Sequence, residues 1–119
     1  MTRPTPATIA VLHELADALR GIAPVDVGTM FNSPGIRTNG TIVAFLDGDD
    51  RLIVKVPRSR AVALIERGTV EPVTMGKRTM REWVIITADT NADLLAAWLP
   101  LATEALRYSR GLRSQQTES

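Results

Sequence analysis

From Ile9 the apolar residues recur at helical spacing: Ile9, Leu12, Ala16 and Leu19, with Leu15 widening the stripe. Glu14, Asp17 and Arg20 fall largely off it. Thr5 is placed to cap this first helix and Pro6 to occupy its first position, where a missing N–H costs nothing. Gly21 and Pro24 end it. Val25 to Asn32 then reads as extended, with Gly28 marking a bulge or a close approach, and Ser33-Pro34-Gly35 breaks the run. Ile36-Arg37-Thr38 leads into Asn39-Gly40, a dipeptide whose tolerance of positive φ signals a tight hairpin.

The strand Thr41 to Leu46 is apolar on both sides, with Ile42, Ala44 and Leu46 facing one way and Val43 and Phe45 the other. That pattern predicts a central strand. Asp47-Gly48-Asp49-Asp50 turns the chain, and Arg51 to Val56 returns with Leu52, Val54 and Val56 inward and Lys55 outward. Pro57 stops it. A short helix from about Ser59 to Arg67 follows, with Val62 and Ile65 as its buried side, flanked by Ala61 and Leu64, and Gly68 as its left-handed terminus. Thr69 to Thr79 reads as irregular, and Trp83 to Thr87 as the last strand. Thr90 and Asp93 resemble a capping box. Leu94, Leu95, Trp98, Ala102, Ala105 and Leu106 then recur at helical spacing up to Gly111, and Pro100 should kink or split that helix. The prediction is an α+β fold, α-β-β-β-α-β-α, with a mainly antiparallel sheet packed by helices. It forms one domain over residues 1–113 with a disordered polar tail at 114–119.

Composition narrows the function classes. The 119 residues are 45% hydrophobic and 23% charged, ordinary for one globular domain. No apolar run reaches the ~20 residues of a membrane-crossing helix. Met1-Thr2-Arg3-Pro4-Thr5-Pro6 lacks the apolar centre of a secretory signal. The chain has no cysteine, which removes disulfides and thiol chemistry. A cytoplasmic protein without a membrane partner is expected. The net charge is +1, but Arg51 to Arg81 holds eight bases against two acids, leaving a deficit in the remainder. A basic segment of that kind suits an acidic partner or phosphate.

Reactive groups are sparse. The single histidine, His13, lies at the margin of the first helix's apolar stripe and has no second imidazole or thiolate with which to hold a metal. Asp47-Gly48-Asp49-Asp50 opens like a calcium loop, but Arg51 and Arg58 occupy ligand positions. Gly76-Lys77-Arg78 resembles part of a phosphate-binding loop, yet Glu71 replaces its first glycine and Arg78 its magnesium-binding hydroxyl. None of Ser33, Ser59 or Ser109 sits in a nucleophile elbow. No catalytic, cofactor or metal site is predicted. The residues best suited to a binding surface are Lys77, Arg78 and Arg81 with the aromatics Phe31 and Trp83; Phe45 and Trp98 are expected in the core.

Together the residues resemble the N-terminal domain of the TfoX/Sxy family of competence regulators. The likeness rests on Met30-Phe31 with Pro34-Gly35, on Asn39-Gly40 leading into Ile42-Val43-Ala44-Phe45, and on Leu52-Ile53-Val54-Lys55-Val56. It continues through the Arg60-to-Gly68 helix, Met80-Arg81-Glu82-Trp83-Val84, and a closing helix with Trp98, Ala105 and Tyr108. It covers roughly residues 28 to 108. Asn32 stands where many relatives have Gly, and the second, helical domain of the better-known members has no counterpart in this sequence. The resemblance implies a stand-alone α+β domain that is non-enzymatic and works with a transcription regulator through protein contacts. The alternative from the residues themselves is nucleic-acid or phosphate-ligand binding through the basic 51–81 segment.

Overall fold

A computed structural model describes residues 4–30, 33–75, 78–86 and 93–118. The elements are α1 (Pro6–Leu19), β1 (Asp26–Met30), β2 (Ser33–Thr38), β3 (Thr41–Leu46), β4 (Leu52–Lys55), α2 (Arg58–Glu66), β5 (Val70–Met75), β6 (Arg78–Ile86) and α3 (Leu94–Glu118). The strands form one sheet in the order β1-β2-β3-β4-β6-β5, and every pairing is antiparallel. The α+β class and the antiparallel sheet are as the sequence predicts. The sheet is larger than expected, however, by strands at both ends.

At one end, Ser33-Pro34-Gly35 does not break the chain. It opens β2, where Pro34 stands opposite Thr29 near the strand start, a place in which a missing N–H is tolerated. At the other end, the stretch read as irregular forms β5 and the start of β6, which begins at Arg78 rather than Trp83. Pro72 obscured that strand, but β5 is an edge strand and needs hydrogen bonds on one side only.

The Asn39-Gly40 hairpin forms as expected, with φ of 51° and 84° at its two residues. Beyond it lies a bulge. Ile36 pairs with Ala44 but Arg37 pairs with Ile42, so Val43 is an extra residue in β3. Alternation is therefore reset within the strand. Val43, Ala44 and Leu46 all join the main core, while Ile42 packs with Phe45 on the opposite side. This corrects the expectation that Ile42 would share a face with Ala44.

All three helices contribute to the main core, and none of the described helix residues contributes to the second cluster. One row of that core, Val27, Ile36, Ala44, Val54 and Val84, crosses five paired strands. Against it α1 sets Leu12, Leu15, Ala16 and Leu19, all fully buried. Thr5 caps α1 by accepting the amide of Thr8, with Pro6 in the first turn as expected. Gly21 lies in the turn beyond Arg20, and among the described residues the left-handed glycines are Gly40 and Gly68.

The short helix α2 is rotated from its expected setting. Ala61 and Leu64 are buried at 2% and 3% exposure, whereas Val62 and Ile65 are 50% and 36% exposed. Both pairs have helical i, i+3 spacing, so periodicity alone does not choose between them. The shorter Ala61 suits a close approach of this helix to β5 and β6.

The last helix, α3, runs as one element through Pro100. The carbonyl that Pro100 leaves without an amide belongs to Ala96, and both residues are on the exposed side, where water can satisfy it. Asp93 is the cap itself, its Oδ1 accepting the amides of Leu95 and Ala96 at 3.1 and 3.4 Å; Thr90 lies outside the described residues. The helix extends to Glu118, into the segment expected to form a polar tail. Trp98, at 1% exposure, is the largest fully buried side chain.

Trp98→Ala should destabilise the fold by about 3–5 kcal/mol, because it deletes the largest side chain of a closed core. A thermal or urea melt of the variant beside the wild type measures it. Gly68 has φ +76° with open space where a side chain would project, so conformation alone sets the cost there. Gly68→Val should lower the melting temperature more than Gly68→Asn, since asparagine enters the left-handed region at lower cost.

Candidate binding surface

The side of the sheet opposite the helices carries its own apolar cluster. Phe45, Ile53, Val73 and Ile85 are buried there, with Ile42 and Trp83 packed partly exposed against them. Pairing aligns Gly35, Phe45, Ile53, Ile85 and Glu71 across successive strands. Trp83 pairs with Lys55 of β4. The Phe45 and Trp83 rings meet edge-on, with centroids 5.4 Å apart and planes at 66°. Lys55 Nζ lies 5.7 Å from the Trp83 ring centroid, a cation–π placement worth ~0.5–1 kcal/mol near solvent. Arg81 is exposed two residues before Trp83, in the part of β6 where the register shift against β5 interrupts regular alternation.

Of the residues predicted to form a binding surface, Trp83 joins this cluster and Arg81 lies exposed two residues away on the same strand. Arg78 is placed at the start of β6, and Phe31 and Lys77 lie outside the described residues. Phe45 and Lys55 complete the aromatic–cation group and were not singled out from sequence. The signal for Lys55 was the outward phase of β4, and Phe45 of β3 was expected in the core. The β4–β6 pairing that brings Lys55 to Trp83 joins strands separated by α2 and β5, a long-range register that local pattern does not carry.

The basic segment is less free than its charge suggests. Arg51 bonds Asp47 at 2.8 Å and Glu71 at 3.2 Å and lies 3.6 Å from Asp49. Arg60 holds Glu104 of α3 through two hydrogen bonds, at 2.9 and 3.3 Å. Both pairs are surface contacts of modest worth, but each neutralises a base. Arg58, Arg67 and Arg81 remain exposed without an ion pair among the described residues.

The acidic turn is an internally bonded hairpin end. Asp47 Oδ1 accepts the amides of Asp49 and Arg51, and its Oδ2 accepts Arg51 Nε. Asp50 takes φ +62° and accepts the Thr5 amide at 2.7 Å, tying the turn to the start of α1. Among the described residues no three potential ligands group to hold a metal ion. His13 is exposed on α1, Ser59 is exposed on α2, and Ser109 is fully buried in α3 with its hydroxyl unpaired. No helix among the described residues is long and apolar enough to cross a membrane.

Tyr108 is a tuned titrating group. Tyr108 of α3 donates its hydroxyl to Glu82 Oε2 of β6 at 2.7 Å. Burial raises its pKa above 10.0, and the hydrogen bond and negative charge of Glu82 raise it further. This contact clamps α3 to the helix side of β6, while the next residue, Trp83, points to the opposite side. No family model matches the chain, and neither does any curated protein.

Tyr108 is the one tyrosine, so phenolate absorbance reads it alone. Its titration midpoint should lie above that of the urea-unfolded chain, and Glu82→Gln should bring it down. Because the folded pKa is the higher, the associated stability is complete below the unfolded value near 10. It is lost as pH rises through the folded value. Coincident folded and unfolded midpoints would contradict the clamp.

Proposed function

We propose that the protein is a non-enzymatic binding module of the TfoX N-terminal type, acting through protein contacts in a cytoplasmic setting that a cysteine-free chain suits. A transcription regulator is the partner class implied by the resemblance. The observation that carries this reading is the partly exposed Trp83, held edge-on by Phe45 and flanked by Lys55 on the side of the sheet to which no described helix contributes. A rigid aromatic with a cation beside it is the kind of side chain that anchors protein interfaces. The sparse reactive groups fit a binding role: His13, Ser59 and Ser109 lie on helices, away from this cluster.

The second reading, phosphate or nucleic-acid contact, draws on the exposed Arg58, Arg67 and Arg81. It ranks lower because Arg51 and Arg60, two bases of the same segment, are committed to carboxylates.

The two readings separate by variant. Proteins retained from native lysate on the immobilised wild type should be lost on Trp83→Ala and on Lys55→Glu, each first checked for an unchanged circular dichroism spectrum. With the isolated partner, Trp83→Ala should weaken affinity at least ~10-fold. Equal retention by wild type and variants refutes this surface. Retention of DNA that falls steeply with salt, and with Arg58→Ala, Arg67→Ala and Arg81→Ala together, would install the phosphate reading in its place.

A further inference from the structure

The two ends of the sheet are built differently. The β5 end carries the usual obstacles to strand addition: Pro72 within the strand, the exposed Glu71 beside it, and a register shift between Pro72 and Val73. The β1 end has neither the proline nor the register shift, and its exposed acid, Asp26, is paired with Arg37. Its five residues, Asp26–Met30, pair with β2 without a register shift and include no proline or lysine. As the terminal strand, β1 has no other described strand beside it to take its outward backbone donors and acceptors.

Its side chains add a charge pattern. Arg37 crosses from β2 onto β1, and its Nη2 lies 2.6 Å from where a Cβ on Gly28 would sit. A side chain at position 28 would have to displace the guanidinium from this seat. The same Nη2 donates to Asp26 Oδ2 at 2.9 Å, while Arg37 Nε is buried without a hydrogen-bond partner. Asp26 and Arg37 remain 59% and 40% exposed at the side chain. The edge therefore presents an acid at position 26 and a base over position 28, on one face.

We propose that this edge is a self-association surface, where a second copy of the chain adds its β1 antiparallel to the first. Antiparallel addition about a two-fold axis at Val27 sets position 26 of each copy opposite position 28 of the other. Each Asp26 then meets the guanidinium lying over Gly28 of the second copy, and the contact occurs twice. Shifting the axis to Gly28 instead places position 26 opposite position 30 and forfeits both pairs. The charge pattern thus selects one register, and it is complementary to itself, which identifies the occupant as the same chain. Val27 at the axis packs toward the helix side, so the main core would continue across the junction. The inference is independent of the Trp83 surface.

Sedimentation of the full chain over a concentration series tests it, beside Asp26→Arg, Arg37→Asp and their equimolar mixture. The wild type should dimerise. Each variant alone should be monomeric, because like charges then meet at both contacts. The mixture should restore the dimer, since the base introduced at position 26 of one chain meets the acid introduced at position 37 of the other, and the native Arg37 meets the native Asp26. Intramolecular pairing cannot produce that rescue, as each variant chain holds only like charges at this site. Should a variant fold poorly, amide exchange on the wild type decides: protection of residues 26–29 should rise with protein concentration. A wild type monomeric to about 1 mM, a mixture that stays monomeric although both variants fold, or concentration-independent exchange at β1 would each overturn the proposal.

Discussion

All three helices contribute to one core of this six-stranded sheet, and none of the described helix residues joins the cluster on the opposite face. The arrangement depends on the extra residue in β3. Without the bulge, strict alternation would split Val43 from Ala44 and Leu46, sending a buried aliphatic to the side the helices leave alone. With it, three β3 side chains feed the main core, and Ile42 turns to join Phe45. The opposite side then keeps a small cluster of sheet residues closed laterally by Trp83. The bulge in β3 thus sets which aliphatics accompany Phe45, the ring that Trp83 of β6 meets across β4.

The main core is in turn closed by α3. Asp93 starts the helix, Trp98 fills the core one turn later, and Ala102 and Ala105 are fully buried where bulk would hold the helix away. Two polar contacts tie this helix to its neighbours, Glu104 to Arg60 of α2 and Tyr108 to Glu82 of β6. The second matters more for the surface. Fixing Glu82 from the helix side constrains the backbone on which Trp83 projects to the other side, so the aromatic's setting is tied to a hydrogen bond made on the opposite face of the sheet.

Much of this was legible in the chain. The α1 stripe and cap, the Asn39-Gly40 turn, Gly68 as a left-handed terminus, and Trp98 as core all follow from local rules, and all are found. What escaped local reading depended on tertiary context. Pro34 and Pro72 look like strand breakers until one sits at a strand start and the other on an outer edge. Ala61 and Leu64 are a less conspicuous pair than Val62 and Ile65, yet the space above β5 and β6 takes the smaller set. Val43 carries no mark of a bulge, since the shift is defined by its partner strand. For the surface, Trp83 and Arg81 were named from sequence as an aromatic beside a base, while Lys55 and Phe45 became relevant only through pairings distant in sequence.

The charges show the same division between type and placement. Counting bases over 51–81 suggests a concentrated positive field, but a field requires that the bases share a direction and lack counter-ions. Arg51 is drawn into the β3–β4 turn by Asp47, and Arg60 into the α2–α3 contact by Glu104, so both act as fasteners. Lys55 stands over an aromatic ring, where a positive charge gains from the ring's electron density without neutralisation. A protein partner offering a carboxylate near Trp83 could therefore engage Lys55 and the indole together. A phosphate backbone, which rewards the number of free cations along a track, would find fewer than the sequence count implies. That difference favours a compact protein contact over an extended nucleic-acid footprint.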